Sequence, residues 1–406
     1  MKVVHINSHD AKGGAAESAS KIHKGLKLLG QESVFFVAFK GNNTDSKYLV
    51  NNELCRKIER EWTKILSKFG LPELYYPFTH FFYLNSDVRK ADIIQLYNLH
   101  GGYFELALLN KLSKKHAVVW RLSDMWPMTG HCAFPYDCEK WKSGCNNCPY
   151  LSEYPELTVD RSAFFLRYKQ RIVSNMENMI VVAPSYWIQK NAKESLVFKG
   201  KRVHYIPNGI DEKVFTPFEK AYAKKMVGLE EKPVILFLAA EISDTRKGLA
   251  HLIQAFKHIS NIENTQIVCV GNVDDEQKID GIDYLGSIKD KAQMAIIYSS
   301  ANVFAAPSLA DNLPNTILES MACGTPVVAY DVGGISDAVK HMKTGILVKS
   351  GQIEDLARGI EFLINNEKCA FEMGRNARKM IEENFTIDLQ ARRFLELYNN
   401  LTEICD

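Results

Sequence analysis

The chain has 406 residues, 46% hydrophobic and 24% charged, a globular composition too long for one ordinary core; it excludes a disordered or fibrous protein. The net charge of +2 is unevenly divided: residues 1–206 carry 29 Lys and Arg against 19 Asp and Glu, and 207–406 carry 21 against 29. No run of about 18 uncharged apolar residues could span a bilayer, and Met1 leads straight into a strand pattern rather than a signal peptide, so a cytoplasmic protein is expected. Its basic first half suits either the inner face of an anionic membrane or attraction to its own acidic half; no nucleic-acid partner is expected.

Short β-branched runs alternate with amphipathic stretches along the first half: Val3 to Ile6, Ser33 to Ala38, Ile93 to Tyr97, Ala117 to Arg121, Ile180 to Ala183 and Val203 to Ile206. They read as buried parallel strands. After the turn Pro207-Asn-Gly-Ile-Asp the alternation resumes at Val234 to Ala239, Gln266 to Val270, Asp283 to Leu285, Val303 to Ala306, Val327 to Tyr330 and Gly345 to Val348. The expected fold is therefore α/β, with two doubly wound Rossmann-like domains facing a cleft, residues 1–206 and 207–385. Residues 386–406 form a terminal helix, with Leu389, Phe394, Leu397 and Leu401 on one face, that packs back on the first domain.

In chain order, Gly13 and Gly14 follow the first strand, where a missing Cβ lets backbone approach a ligand. The loop lacks GxGxxG spacing, which counts against a dinucleotide dehydrogenase. Leu54, Ile58, Trp62, Ile65 and Phe69 then form a helical stripe with basic residues around it. A helix packed on its own domain, the default, and one lying in a membrane interface predict the same stripe; the aromatic run from Tyr75 to Tyr83 keeps the second open. His100 follows a strand end and can reach the cleft, although a lone His there is more often structural.

Cys132, Cys138, Cys145 and Cys148 form a C-x5-C-x6-C-x2-C array within a Gly- and Asn-rich loop, 131–149. Four thiolates at this spacing suit a closed structural zinc site, with His131 as a spare ligand; free thiols and disulfides are the alternatives.

The second half holds Ser243-Asp-Thr-Arg-Lys-Gly-Leu and, further on, Asp311-Asn-Leu-Pro-Asn-Thr-Ile-Leu-Glu319-Ser-Met-Ala-Cys-Gly-Thr-Pro. A helix is expected from near Pro314 with Asn312 as N-cap, so that the N–H groups of Asn315 and Thr316 meet an anionic donor. Asp311 and Glu319 can accept hydrogen bonds from vicinal sugar hydroxyls; alone, the two acids would also suit a cap and a surface charge.

This segment resembles the acidic-x7-Glu motif of the retaining glycosyltransferases of family 4, which have the glycosyltransferase B architecture, and the resemblance covers most of the chain. It implies that Glu319 holds the donor ribose, Asp311 contacts the transferred sugar and Lys247 neutralises the leaving diphosphate. The same resemblance implies that no cofactor is required for catalysis itself. Asn208 and Gly209 of the hinge, with Gly14, Arg246, Asn315 and Thr316, line the donor cleft. The stretch around Arg121-Leu-Ser-Asp124 resembles an exopolysaccharide and colanic-acid type subgroup with a four-cysteine loop, implying acceptor contacts from Gly13, His100, Ser123 and Asp124, with Asp124 orienting or deprotonating the acceptor. The pattern departs at Glu241, where the family has Arg, at Ser123, where it has His, and at Asp311, Leu313, Pro314 and Asn315.

The implied function is transfer, with retention, of a hexose-type sugar from a nucleotide diphosphate sugar to a saccharide or lipid-linked saccharide acceptor in bacterial cell-surface polysaccharide synthesis. A sugar phosphorylase or nucleotide-sugar epimerase of the same architecture, or a non-catalytic sugar-nucleotide-binding subunit, are the alternatives.

Overall fold

The computed structural model describes residues 1–41, 45–260 and 264–402. The chain divides into two compact units, Met1–Pro207 with Gln390–Asp406, and Asn208–Leu389. The first unit thus gives way to the second one residue later than the sequence suggests, and the chain rejoins it at Gln390. The last four residues of the expected terminal segment lie outside the described residues.

The first unit is built on seven strands: β1 (Lys2–His9), β2 (Glu32–Phe39), β3 (Ser46–Tyr48), β4 (Ile93–Leu96), β5 (Ala117–Arg121), β6 (Met179–Ala183) and β7 (Arg202–Tyr205). All pair in parallel, in the order β3-β2-β1-β4-β5-β6-β7. Every residue of β4, β5 and β6 is buried, as a parallel sheet covered by helices on both faces requires. One face packs on Leu108, Leu109, Trp126, Leu166 and Ile172. The other packs on Ile22 and Leu26 together with Phe394, Leu397, Tyr398 and Leu401 of the helix Ile387–Thr402. The Tyr398 O–H donates to Gln95 Oε1 beneath β4, and Gln390 Nε2 donates to the Pro207 carbonyl, so this helix is tied to the first unit at both ends of its buried face. Strand β3, three residues at the sheet edge, carries too little pattern to be read from sequence.

The second unit holds β8 (Val234–Glu241), β9 (Gln266–Asn272), β10 (Ile282–Tyr284), β11 (Val303–Ala306), β12 (Val327–Tyr330) and β13 (Gly345–Val348) in the all-parallel order β10-β9-β8-β11-β12-β13. Strand order reverses between β1 and β4 in the first sheet and between β8 and β11 in the second. At such a switch point the loops leaving the carboxyl ends diverge and open a crevice for a ligand.

The helix Glu53–Lys68 departs from the default expectation. Its inward side carries Cys55, Glu59, Thr63, Leu66 and Ser67, of which only Glu59 is buried. The Glu59 carboxylate accepts from the backbone N–H groups of Phe78 and Thr79 at 2.9 and 2.8 Å. The stripe Leu54, Ile58, Trp62, Ile65 and Phe69 faces outward, 39–66% exposed. A polar anchor on the inner side therefore sets the helix's rotation, and the apolar pattern does not.

Candidate active site

In the second unit, the loops leaving β8 and β11 bring Arg246, Lys247 and Asp311 together. Thr245–Lys247 is a single tight turn capped by Asp244, whose carboxylate accepts from the Arg246 N–H. It ends at Gly248, with φ +80°, where an added Cβ would lie 2.0 Å from the Pro307 carbonyl oxygen. Only glycine lets the two loops approach this closely. The Leu309 N–H donates to the Arg246 carbonyl at 2.8 Å, closing the contact.

Across that contact Lys247 Nζ donates to Asp311 Oδ2 at 2.6 Å, and Arg246 donates to the same oxygen at 3.3 Å and to the Ala310 carbonyl at 3.0 Å. Burial alone would raise the Asp311 pKa, but Lys247 and Arg246 outweigh it and hold the carboxyl below its ordinary value. Arg246 is thus turned toward Asp311. Glu241, where the family resemblance expects an arginine, is exposed and accepts from Asn272.

The helix beyond Asp311 spans Asn315–Ala322 and begins later than the sequence suggests. Its N-cap is Pro314, with no side-chain cap; Asn312 is not the cap. The Asn312 carbonyl instead accepts from the Gly334 N–H at 2.6 Å. At neighbouring Gly333, with φ +58°, a Cβ would lie 1.8 Å from the Asp311 carbonyl oxygen. The Gly333-Gly334 turn therefore braces the Asp311 loop, and Asn312 is committed to that turn.

Without a side-chain cap, the first-turn N–H groups of Asn315 and Thr316 have no intrahelical acceptor, and they carry the positive end of the helix dipole. Asn208 Nδ2 donates to the Leu313 carbonyl and to Asn315 Oδ1 at 3.0 and 3.1 Å, so the hinge asparagine fixes this helix start, with Gly209 buried beside it. Asn315 Nδ2 is buried without a protein partner. Glu319, one turn on and nearly buried, accepts from the Tyr298 O–H at 3.0 Å. Tyr298 carries no signal in the sequence, because nothing there shows that its helix lies beside Glu319.

In the first unit, the loops after β1, β4 and β5 hold the remaining candidates. Gly13 and Gly14, both exposed, start the helix Gly13–Leu28, whose N-terminus has no side-chain cap. Asp124 and His100 are both buried; Asp124 accepts from the Trp126 N–H at 2.9 Å and from His100 Nε2 at 3.1 Å. A proton on Nε2 leaves Nδ1 to accept from the Tyr154 O–H at 3.3 Å. Ser123 adjoins Asp124 on the same loop and is only partly buried.

Two buried charges that sequence reasoning missed complete this cluster. Glu73 accepts from the Gly101 N–H, and burial pushes its carboxyl above the usual range against the pull of Lys169 and His100. Lys169 donates to the carbonyls of Trp126 and Thr129 at 2.7 and 3.1 Å, and its ammonium lies 3.7 Å from the Trp126 ring centroid. Burial lowers its pKa to about 8. Lys169 was legible as a charge on the otherwise apolar face of Phe165, Leu166, Ile172 and Val173; Glu73 gave no such signal.

Cys132, Cys138, Cys145 and Cys148 all line one small cavity, with Trp141 and His131, and none forms a disulfide. His131 Nε2 lies 3.2 Å from Cys148 Sγ. Among the described residues, no three His, Cys, Asp or Glu groups stand in a metal-holding arrangement. What the loop does is brace the cluster beside it. The Ala133 N–H donates to the Tyr154 carbonyl and His131 Nδ1 bonds to the Pro155 carbonyl, and Tyr154 is the residue that reaches His100.

Residues 220–380, most of the second unit, match the family model for glycosyl transferases group 1. This unit is similar to the group 1 glycosyl transferases over that stretch. The capsular polysaccharide biosynthesis glycosyltransferase CapM of Staphylococcus aureus is 31% identical over 180 residues, 42% of this chain and 47% of that one. The putative colanic acid biosynthesis glycosyl transferase WcaC of Escherichia coli is 25% identical over 364 residues, 86% of each chain. The chain thus spans about half the length of the first relative and most of the second.

Among solved structures, a sucrose-phosphate synthase from Thermosynechococcus elongatus superposes with a TM-score of 0.72 at 19% identity, covering 99% of both chains. Anabaena HepE in complex with UDP gives 0.68 at 16%, covering 98% of this chain and 100% of that one. The fold is the glycosyltransferase B fold, and the stretch that matches the group 1 model lies in its second Rossmann-like unit. Asp311, Lys247, Arg246, Asn315 and Glu319 all belong to that stretch.

Proposed function

We propose that the protein is a retaining glycosyltransferase that moves a hexose-type sugar from a nucleotide diphosphate sugar to a saccharide or lipid-linked saccharide acceptor in cell-surface polysaccharide synthesis. The observation that carries this reading is the ionised Asp311 held by Lys247 and Arg246 beside an uncapped helix start, at the switch point of the second unit. Further support comes from CapM and WcaC, whose names place them in capsule and colanic acid biosynthesis, and from HepE, which was solved with UDP and with UDP-glucose.

In this reading Glu319, fixed by the Tyr298 hydroxyl, accepts from the ribose hydroxyls of the donor. The Asn315 and Thr316 N–H groups, with Lys247, receive the diphosphate. As the bond between the sugar and the diphosphate oxygen breaks, negative charge grows on that oxygen. In this reading Lys247 and the helix end stabilise that charge as groups fixed before the reaction, so little reorganisation is needed. The acceptor hydroxyl attacks the same face of the sugar and passes its proton to the departing diphosphate, which preserves the anomeric configuration without a protein nucleophile. Asp311 keeps Lys247 and Arg246 in place and meets a sugar hydroxyl. In the first unit, Asp124 and His100 orient the acceptor, His100 through its Nε2–H tautomer.

The test is to incubate the full chain with nucleotide sugars and saccharide acceptors and to follow nucleoside diphosphate release and product anomer. Acceptor-dependent release with an unchanged anomer is expected. Phosphate-dependent release of a sugar phosphate, or an inverted anomer, contradicts the reading.

A further inference from the structure

The outward stripe of the Glu53–Lys68 helix is unusual because the helix satisfies its own domain without it. The inner side is fixed by Glu59, by the Thr63 hydroxyl, which donates to the Glu59 and Gly102 carbonyls, and by the Ser67 carbonyl, which accepts from Thr158. Arg56 at the start of the helix stacks over the Tyr48 ring, 3.8 Å from its centroid. Leu54 at 66%, Phe69 at 61% and Ile65 at 49% exposure therefore contribute nothing to the fold that would explain them. Nearby in sequence, Tyr75, Phe81 and Leu84 are also exposed. Single exposed apolar residues are ordinary, but five at helical spacing on one side of one helix are not.

The charges beside the stripe decide what fits it. Lys57, Arg60, Lys64 and Lys68 are all exposed and occupy the side of the helix beyond the stripe, away from the domain. Glu53 and Glu61 pair with Lys57 and Lys64, and Glu53 also feels the Arg60 charge, so the four basic residues outnumber the two acids among them. A row of aliphatic and aromatic side chains flanked by long basic ones matches the boundary between acyl chains and anionic headgroups: the apolar row enters, and the ammonium and guanidinium groups reach up to phosphates. A protein partner would need a complementary groove; a second copy would bring the same basic row against itself.

We propose that this helix face is a docking surface for an anionic lipid bilayer, on which Leu54, Ile58, Trp62, Ile65 and Phe69 insert and Lys57, Arg60, Lys64 and Lys68 bind headgroup phosphates. The surface holds the first unit at the membrane without crossing it; no helix among the described residues is long and apolar enough to span a bilayer.

The experiment is co-sedimentation of the full chain with vesicles of phosphatidylcholine alone and of phosphatidylcholine with a quarter phosphatidylglycerol. Binding to the mixed vesicles, weakening as salt rises, is expected. Replacing Trp62→Ser and Ile65→Ser together should lower the partition coefficient at least about tenfold, and so should Lys57→Glu with Lys64→Glu. These positions are exposed, so melting temperatures should not move. A readout that does not depend on those variants is quenching of tryptophan fluorescence by brominated lipid in the mixed vesicles: it should occur in the wild type and be largely lost in Trp62→Phe, which still binds. Failure of the wild type to bind the mixed vesicles overturns the proposal, as does undiminished binding by the serine variant. A dimer in solution that the serine variant dissociates would assign the face to a second copy and overturn it as well.

Discussion

Lys247 Nζ lies 2.6 Å from Asp311 Oδ2, 64 residues away in sequence, because Gly248 lets the two loops touch at Pro307. The lysine proposed to receive a diphosphate is therefore kept beside an acid that neutralises it. A diphosphate arriving there offers the ammonium a second anionic partner without requiring the loop to reorganise.

Lys247→Ala removes the ammonium and leaves the loop, so it should lower kcat about 100- to 1000-fold, the range for losing one preorganised charge donor, while donor affinity changes much less. Steady-state kinetics with the best donor checks this. A loss of donor affinity with kcat unchanged would place Lys247 in ground-state binding only.

Asp311→Asn leaves Lys247 and Arg246 without their shared carboxylate and should cost about 1–3 kcal/mol of stability, less than a fully buried pair because Asp311 and Lys247 retain 14% and 20% side-chain exposure. The pH dependence has a definite sign. The folded pKa of Asp311 is depressed, so its contribution is fully present above the ordinary carboxylate value and is lost as pH falls through the folded value. The melting-temperature gap between wild type and Asp311→Asn should hold from neutral pH down to the ordinary carboxylate range and then close below it. A gap that grows with acid contradicts the assignment.

Tyr298→Phe removes only the hydroxyl that Glu319 accepts from. It should cost about 1 kcal/mol of stability and weaken donor binding by less than Glu319→Ala does, since the carboxylate remains. Thermal melts with and without donor compare the two; equal losses would make Tyr298 a donor ligand in its own right.

Lys169→Met keeps the bulk of the side chain and deletes the charge that faces Glu73. Breaking a buried charge interaction in this way should destabilise the first unit by about 3 kcal/mol. Adding Glu73→Gln should restore much of that loss, because the two changes remove one interaction. Chemical denaturation of the single and double variants measures the coupling, and strictly additive losses would mean the charges do not interact.

The sheets were legible because parallel strands buried on both faces read as continuous β-branched runs: Ala117 to Arg121 and Val327 to Tyr330 have the same bounds in sequence and structure. The helix start at Asn315 was not, since Asp, Asn and Pro each suit a cap or first turn, and only the packing of Gly334 against Asn312 commits Asn312 elsewhere. The 54–69 stripe was legible as a pattern but not in its direction, because periodicity specifies a face without saying what covers it. Here the buried Glu59, an acid that no apolar pattern registers, sets the helix's rotation. Glu73, Tyr154 and Tyr298 enter their sites through contacts distant in sequence, which no single-chain pattern encodes; Lys169 shows as a charge on an apolar helix face, but its partners do not.

Glu319 is proposed to hold a nucleotide diphosphate sugar in the second unit. The most direct measurement is a thermal-shift screen of nucleotide sugars on the wild type and on Glu319→Ala. At least one nucleotide sugar should raise the wild-type melting temperature and leave that of Glu319→Ala unmoved. No shift with any nucleotide sugar, or an equal shift in both proteins, would contradict the account.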